Sequence, residues 1–160
     1  DSQELSDDEL NLIINLAGGS YSEALWLCKQ DIDDIKTRTI EILRTLARWD
    51  KKAIYNYLDE LARLYKNDAK AFQQLLRSIG FWFRDAAYLR AGSDREDMIH
   101  MDQYTEISNF VENYPEFQPG KVNEALENCI DLLERNVYIN LVLIETFFKI
   151  REFAFKRNTK

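Results

Sequence analysis

The sequence predicts an all-α fold, and three observations support this prediction. Apolar residues recur at steps of three and four over most of the chain, which is the period of an amphipathic helix. Residues that cap helices precede these runs. The 160 residues include only 5 Gly and 2 Pro, which leaves little material for the turns of a β-fold. The chain is long enough for one compact domain with a substantial core.

The longest helical pattern covers residues 69–92, and we expect the other helices to pack around it. Its apolar face consists of Phe72, Leu76, Ile79, Phe83, Ala86 and Ala87. The second half of this helix is apolar on nearly all sides, so it is either buried among other helices or part of a subunit contact. Arg84 and Asp85 lie within this zone, and because a buried charge is costly unless it is paired, we expect both to have partners. Gly92 suits the left-handed residue that ends many helices.

The remaining helices are delimited by local capping signals. The expected helices are 7–17, 20–29, 35–49, 51–66, 69–92, 102–113, 121–135 and 138–156. The predicted caps are Ser6 (with Glu9 in a capping box), Ser20, Asp50, Asp68 and Asp102. We expect the segments 92–100 and 114–120 to be loops.

The first two helices form a hairpin of about thirty residues, which is too small to bury its own apolar faces. We expect its inward face to include Leu10, Ile13, Ile14 and Leu25, packed on another part of the protein. The polar segment 30–34 is the expected hinge. The predicted domains are therefore 1–30 and 31–160, and the acidic, capping start suggests a piece of a longer protein.

Composition and charge restrict the possible functions. The net charge of −7 gives the whole chain no electrostatic attraction for nucleic acid, although a local basic patch remains possible. No apolar run approaches the ~20 residues that a membrane-spanning helix needs. Cys28 and Cys129 lie among apolar helical positions, and we expect two reduced core thiols in a cytoplasmic protein.

No catalytic, metal-binding or cofactor-binding residue is predicted. The single histidine, His100, has no second His or Cys at metal-ligand spacing, and we expect it to be exposed or packed at an edge. The acidic residues of the 92–102 segment lack the spacing of a calcium-binding loop. The Gly18-Gly19-Ser20 turn lacks the Lys-Ser/Thr pair of a phosphate-binding loop.

The aromatic and basic residues of the central helix leave two functional alternatives open. One is a core and subunit-contact role, because interfaces concentrate aromatic residues and arginine. The other is a stand-alone module that stacks the bases of single-stranded nucleic acid. Both alternatives depend on one block, which contains Phe81, Trp82, Phe83, Arg84, Tyr88 and Arg90.

Three segments, in order, resemble subunits of the bacterial DNA polymerase III clamp loader, an assembly of AAA+ proteins. LAGGS at 16–20, followed by Ala24-Leu25, resembles the segment that closes the ATPase module. Residues 81–92 resemble a helix of the collar domain with a tryptophan and an Arg-Asp pair. Asn136-Val137-Tyr138, followed by Leu141, Leu143 and Glu145, resembles the start of the last collar helix, although a tyrosine replaces its second asparagine.

Within this family the pattern is most similar to the delta-prime subunits, which do not hydrolyse ATP. The family's nucleotide-contacting arginine has no counterpart in the corresponding segment, whose key positions are Gly19, Ser20, Glu23, Ala24 and Leu25. A carboxylate at Glu23 would repel a triphosphate. The resemblance thus implies no cofactor and no enzymatic activity for this part of the chain.

The resemblance implies the end of an AAA+ lid module over 1–30 and a helical collar domain over 31–160. The implied function is assembly of the complex that loads the sliding clamp in DNA replication. Its partners would be subunits of the gamma/tau and delta types, with DNA contacted only indirectly and no membrane. The candidate interface residues are Trp82, Arg84, Asp85, Tyr88, Arg90, Asn136 and Glu145.

Overall fold

The computed structural model describes residues 4–157, which form eight α-helices and two 3-10 turns with no strand among them. The helices are α1 (Asp7–Ala17), α2 (Tyr21–Leu27), α3 (Ile32–Arg48), α4 (Lys51–Asn67), α5 (Ala69–Arg90), α6 (Tyr104–Asn113), α7 (Pro119–Glu134) and α8 (Ile139–Ala154). The 3-10 turns are Arg95–Asp97 and Met101–Gln103. The predicted all-α class is confirmed. The outer ends of the two predicted domains, residues 1–3 and 158–160, lie outside the described residues.

Most of the predicted caps are present. Ser6 and Glu9 form the capping box of α1, which ends at a left-handed Gly18. Asp50 and Asp68 accept backbone hydrogen bonds at the starts of α4 and α5. Such caps satisfy amide groups that a helix end leaves without a partner, so they fix helix starts locally.

Two predicted helix starts differ from the structure. α3 begins at Ile32, within the segment expected to be a hinge, because Asp31 caps it and the acidic Asp33 and Asp34 occupy its first turn, where the helix dipole favours them. Asp102 does not cap α6. It lies in the second 3-10 turn, where its carboxylate is 3.1 Å from Lys36 Nζ.

The α5 helix is central to the fold. It packs against α1, α3, α4, α6 and α7, while α7 and α8 form an antiparallel hairpin whose second helix returns against α3 and α4. The end of α5 is fixed by Gly92 at φ +93°, with the Ser93 amide donating to the Tyr88 carbonyl. None of the helices among the described residues is long and apolar enough to cross a membrane.

The apolar residues form a large core and a small one. The small core joins the α1–α2 hairpin to α3 and to the segment after α5, and its buried members are Leu12, Ile13, Leu16, Ala17, Leu27, Ile32 and Ile99. The expectation that Leu10, Ile14 and Leu25 face inward is wrong, since they are 44%, 59% and 47% exposed. The hairpin therefore buries fewer of its apolar side chains than the sequence pattern predicted.

Aromatic side chains fill the centre of the large core. The Phe110 ring lies 4.9–5.6 Å, between centroids, from five other rings, which belong to Trp82, Phe83, Tyr114, Phe117 and Phe155. These rings come from α5, α6, the 114–118 turn and the end of α8, so a single cluster holds four parts of the chain together.

We expect Phe110→Ala to lower the free energy of unfolding by about 3–5 kcal/mol, because it removes a buried ring and leaves a cavity. Urea unfolding followed by circular dichroism measures the change. Tyr104→Ala is the matched control on the same helix, at a residue that is 37% exposed. Equal losses for the two variants would contradict the assigned role of the Phe110 cluster.

The two cysteines differ in environment, which corrects the expectation of two core thiols. Cys129 is buried on α7, whereas Cys28 is exposed at the end of α2. Burial raises the pKa of the Cys129 thiol, although a hydrogen bond with Thr146 acts in the opposite direction.

We therefore expect a thiol reagent such as dithionitrobenzoate to label one cysteine rapidly in the native protein and the second only after urea is added. Cys28→Ser should abolish the fast phase, because the thiolate is the reactive form and Cys129 is both buried and poorly ionised. Two fast phases in the native protein would contradict this assignment.

Candidate functional site

The Asp85 carboxylate is fully buried, and it holds the segment that follows α5. Its Oδ1 accepts a hydrogen bond from the Ile99 amide at 2.9 Å, and its Oδ2 accepts one from the His100 amide at 2.7 Å. The Arg84 guanidinium donates to Oδ1 at 3.3 Å, so the predicted partnership of this pair is confirmed. Such charge-assisted bonds to backbone amides satisfy a carboxylate that would otherwise be costly to bury.

His100 extends this network instead of lying at the surface, so the expectation of an exposed or edge-packed histidine is wrong. Its ring is fully buried, with Nδ1 3.1 Å from Asp85 Oδ2 and Nε2 3.4 Å from Ser78 Oγ. The Ser78 hydroxyl lies 2.9 Å from that of Thr39 on α3, which can donate to the Ile35 carbonyl at 2.8 Å.

This chain of polar groups has two self-consistent proton arrangements. If Thr39 donates to the Ile35 carbonyl, Ser78 donates to Thr39, and the Ser78 oxygen accepts from a protonated His100 Nε2. If the histidine is neutral and protonated on Nδ1, both hydroxyls point the other way, towards Nε2. In both arrangements Nδ1–H faces the Asp85 carboxylate.

The Asp85–His100–Ser78 order is that of a hydrolase triad, but its location excludes that chemistry in this conformation. Ser78 and His100 have no exposed surface, and a catalytic nucleophile must reach its substrate within about 3–3.5 Å. The network therefore acts as a structural clasp, which we call the Asp85 clasp: Asp85, His100, Ser78 and Thr39. Sequence reasoning missed it because its residues lie far apart in the chain.

Two further contacts strengthen the attachment of this segment. Asn11 Nδ2 on α1 lies 3.3 Å from both the Met98 and Ile99 carbonyl oxygens. The buried Lys36 of α3 forms an ion pair with Asp102. The segment after α5 is thus fixed by side chains from α1, α3 and α5.

The outward face of α5 is a narrow stripe of Arg77, Phe81, Arg84 and Tyr88, spaced by four, three and four residues. The Arg84 guanidinium lies 4.2 Å from the Tyr88 ring centroid. Between this stripe and α7 lies a groove of about 400 Å³, which we call the α5–α7 groove. Its lining is mainly apolar with arginine at its edge and consists of Leu76, Arg77, Gly80, Phe81, Arg84, Pro119, Asn123, Leu126, Glu127 and Ile130.

Three predicted interface residues have roles inside the chain. Trp82 is only 3% exposed and Asp85 is fully buried, so in this conformation these two interface candidates present almost no surface to a neighbouring subunit. Arg90 is exposed, but it donates to the carbonyls of Pro115 and Phe117 at 3.1 and 2.7 Å. Phe83 is buried as well, so neither Trp82 nor Phe83 offers the open ring face that nucleic-acid stacking requires.

Predicted interface residues near the start of α8 are exposed. Asn136 adopts a left-handed conformation at φ +61° and turns the chain into α8. Beside it, Tyr138 and Leu141 are 67% and 60% exposed. Glu145 is exposed on the same helix and pairs with Lys149 at 3.0 Å. We call Val137, Tyr138 and Leu141 the α8 start surface.

The segment that resembles the end of an ATPase module has its polar groups engaged inside the chain. Ser20 caps α2, and Gly19 is left-handed at φ +84°. Glu23 pairs with Lys70 at 2.9 Å and accepts from Gln74 at 3.3 Å. No group of three metal-ligating side chains occurs within residues 4–157.

In comparisons with protein-family models, curated proteins and solved structures, no match was found. The resemblance to clamp-loader subunits therefore depends on the three sequence segments.

We expect Asp85→Ala to destabilise the protein by about 3–5 kcal/mol, because it leaves buried donors without their acceptor. Urea unfolding provides the free energy, and amide hydrogen exchange provides a local readout, in which the Ile99 and His100 amides should lose protection. Asp94→Ala, at an exposed residue of the same segment, is the control. Unchanged protection of both amides would contradict the clasp.

Proposed function

We propose that this chain is a helical assembly domain of a bacterial clamp loader, of the delta-prime type, that holds neighbouring subunits together while the sliding clamp is placed on DNA. The observation that supports it best is the α5–α7 groove. Arg84, from the segment that resembles the collar helix, lies in the wall of this groove. An apolar groove bordered by arginine and aromatic residues suits a protein–protein contact.

The α8 start surface provides a second supporting observation. It comes from another of the three resembling segments, and its apolar side chains are exposed although the rest of α8 contributes to the large core. A helix that is apolar on several sides and leaves one of them exposed is typical of a subunit contact.

A role in assembly also agrees with the state of the polar groups on α5. The Asp–His–Ser arrangement is sealed within the protein, so it holds the backbone and offers no surface to a substrate. We assign no catalytic residue to these helices. In this proposal α5 contributes to the core with one side and to a neighbour with the other.

The test is reconstitution with subunits of the gamma/tau and delta types, followed by size-exclusion chromatography with light scattering. The domain should elute in a stoichiometric complex. Tyr88→Ala and Leu141→Asp should each weaken assembly about tenfold, as expected for loss of a contact worth more than 1 kcal/mol. Tyr104→Ala is the control, on α6 and outside both surfaces. A folded domain that binds none of these subunits would contradict the proposal.

A further inference from the structure

A second groove, separate from the α5–α7 groove and the α8 start surface, runs beside the C-terminal half of α8. Two adjoining hollows of about 290 and 690 Å³ share Trp49 and Phe148. We call the joined hollows the Trp49 groove. Its smaller hollow is mainly apolar, with Ile54, Tyr55, Leu58, Ile144 and Phe147. The larger hollow adds Ala47, Tyr114, Arg151, Glu152, Phe155, Lys156 and Arg157.

The apolar hollow exposes large side chains that have no cover. Tyr55 is 64% exposed and Phe148 is 57% exposed. Ile54 and Phe147 are buried beneath them, so the hollow has a packed base. An apolar side chain from a partner would remove these rings from water, which favours binding.

The charges around the groove are unbalanced, although the whole chain is acidic. Lys51, Arg151, Lys156 and Arg157 line it, against one carboxylate, that of Glu152. None of these four cations lies within 4.0 Å of a carboxylate in the described part of the chain. A local excess of positive charge on a protein with net charge −7 favours an acidic partner.

The base of the groove is held in an unusual conformation. Trp49 has φ +55°, a left-handed value that is uncommon for a bulky side chain. Arg151 fixes it there: its guanidinium lies 4.7 Å from the Trp49 ring, and its Nη1 donates to the Leu46 carbonyl at 2.7 Å. Glycine would adopt this conformation without strain, so the groove keeps an aromatic ring at an energetic cost.

The shape and chemistry of the groove favour a peptide over a nucleic acid. Arg151 already covers part of the Trp49 ring, and the Phe148 ring lies 5.0 Å from it in a tilted arrangement, so both groups compete with a base for contact with the tryptophan. A long polyanion would extend beyond the groove over the rest of the chain, whose net charge of −7 repels it, whereas a short acidic segment stays within the local excess of positive charge.

We propose that the Trp49 groove binds an acidic segment of a partner protein that carries a large apolar side chain. The apolar side chain occupies the hollow between Tyr55 and Phe148. The carboxylates of the segment pair with Lys156 and Arg157, and with the remaining N–H groups of Arg151. The site is independent of the surfaces assigned to assembly, so it recruits an additional protein.

The test uses fluorescence anisotropy with a labelled octapeptide of alternating aspartate and phenylalanine. We expect saturable binding that weakens as salt is added, because ion pairs contribute. Peptides in which serine replaces phenylalanine, or lysine replaces aspartate, should bind at least about tenfold more weakly. A labelled oligo-dT strand, measured in the same way, should bind more weakly than the peptide. Tighter binding of oligo-dT than of the peptide would overturn the proposal in favour of nucleic acid.

Variants then locate the site. The double change Lys156→Glu and Arg157→Glu should weaken peptide binding at least about tenfold, and so should Phe148→Ser. The matched control is Lys29→Glu with Lys66→Glu, which makes the same charge change at exposed residues outside the groove. Equal effects of the two double variants, or no binding by the folded protein, would overturn the proposal. Because the groove variants should still assemble with loader subunits, failure here is distinguishable from failure of the proposed function.

Discussion

The burial of one carboxylate, Asp85, determines how the small core is joined to the large one. By accepting the amides of Ile99 and His100, it fixes the segment between α5 and α6 against the side of α5. Two adjacent apolar residues of that segment then diverge, with Met98 buried in the large core and Ile99 in the small one. The α1–α2 hairpin cannot bury its own apolar stripe. Ile99, which the Asp85 clasp holds in place, therefore covers part of that stripe.

The same interaction sets the rotation of α5. With Asp85 facing inward, Trp82 and Ala86 on either side of it are also inward, and both are buried. Helical periodicity then places Arg84 and Tyr88 outward, beside the α5–α7 groove. An adjacent Arg-Asp pair in sequence thus marks the border between the core side and the open side of the helix. The positive charge of Arg84 is balanced by the Asp85 carboxylate and by the face of the Tyr88 ring.

Features of the fold that depend on local chemistry were predictable, and features that depend on distant partners were not. The caps Ser6, Asp50 and Asp68 were predicted because each involves residues within three positions in the chain. The burial of His100 was not, because its partners Asp85 and Ser78 lie 15 and 22 positions away and form no recognisable motif with it. Likewise, apolar periodicity identified the hairpin helices but could not show how little of each face the small core covers.

The open grooves differ in how their charges are compensated, and this difference favours a different kind of partner for each. In the α5–α7 groove, Arg84 is already neutralised by the fully buried Asp85, and the other charged lining residues, Arg77 and Glu127, have opposite signs, so a neighbour can cover this groove without supplying a carboxylate. In the Trp49 groove, Arg151 donates to backbone carbonyls, and Lys156 and Arg157 have no carboxylate within 4.0 Å among the described residues. Covering these cations with an apolar surface would be costly. The first groove therefore suits a broad, mostly apolar contact, and the second requires a partner that brings negative charge.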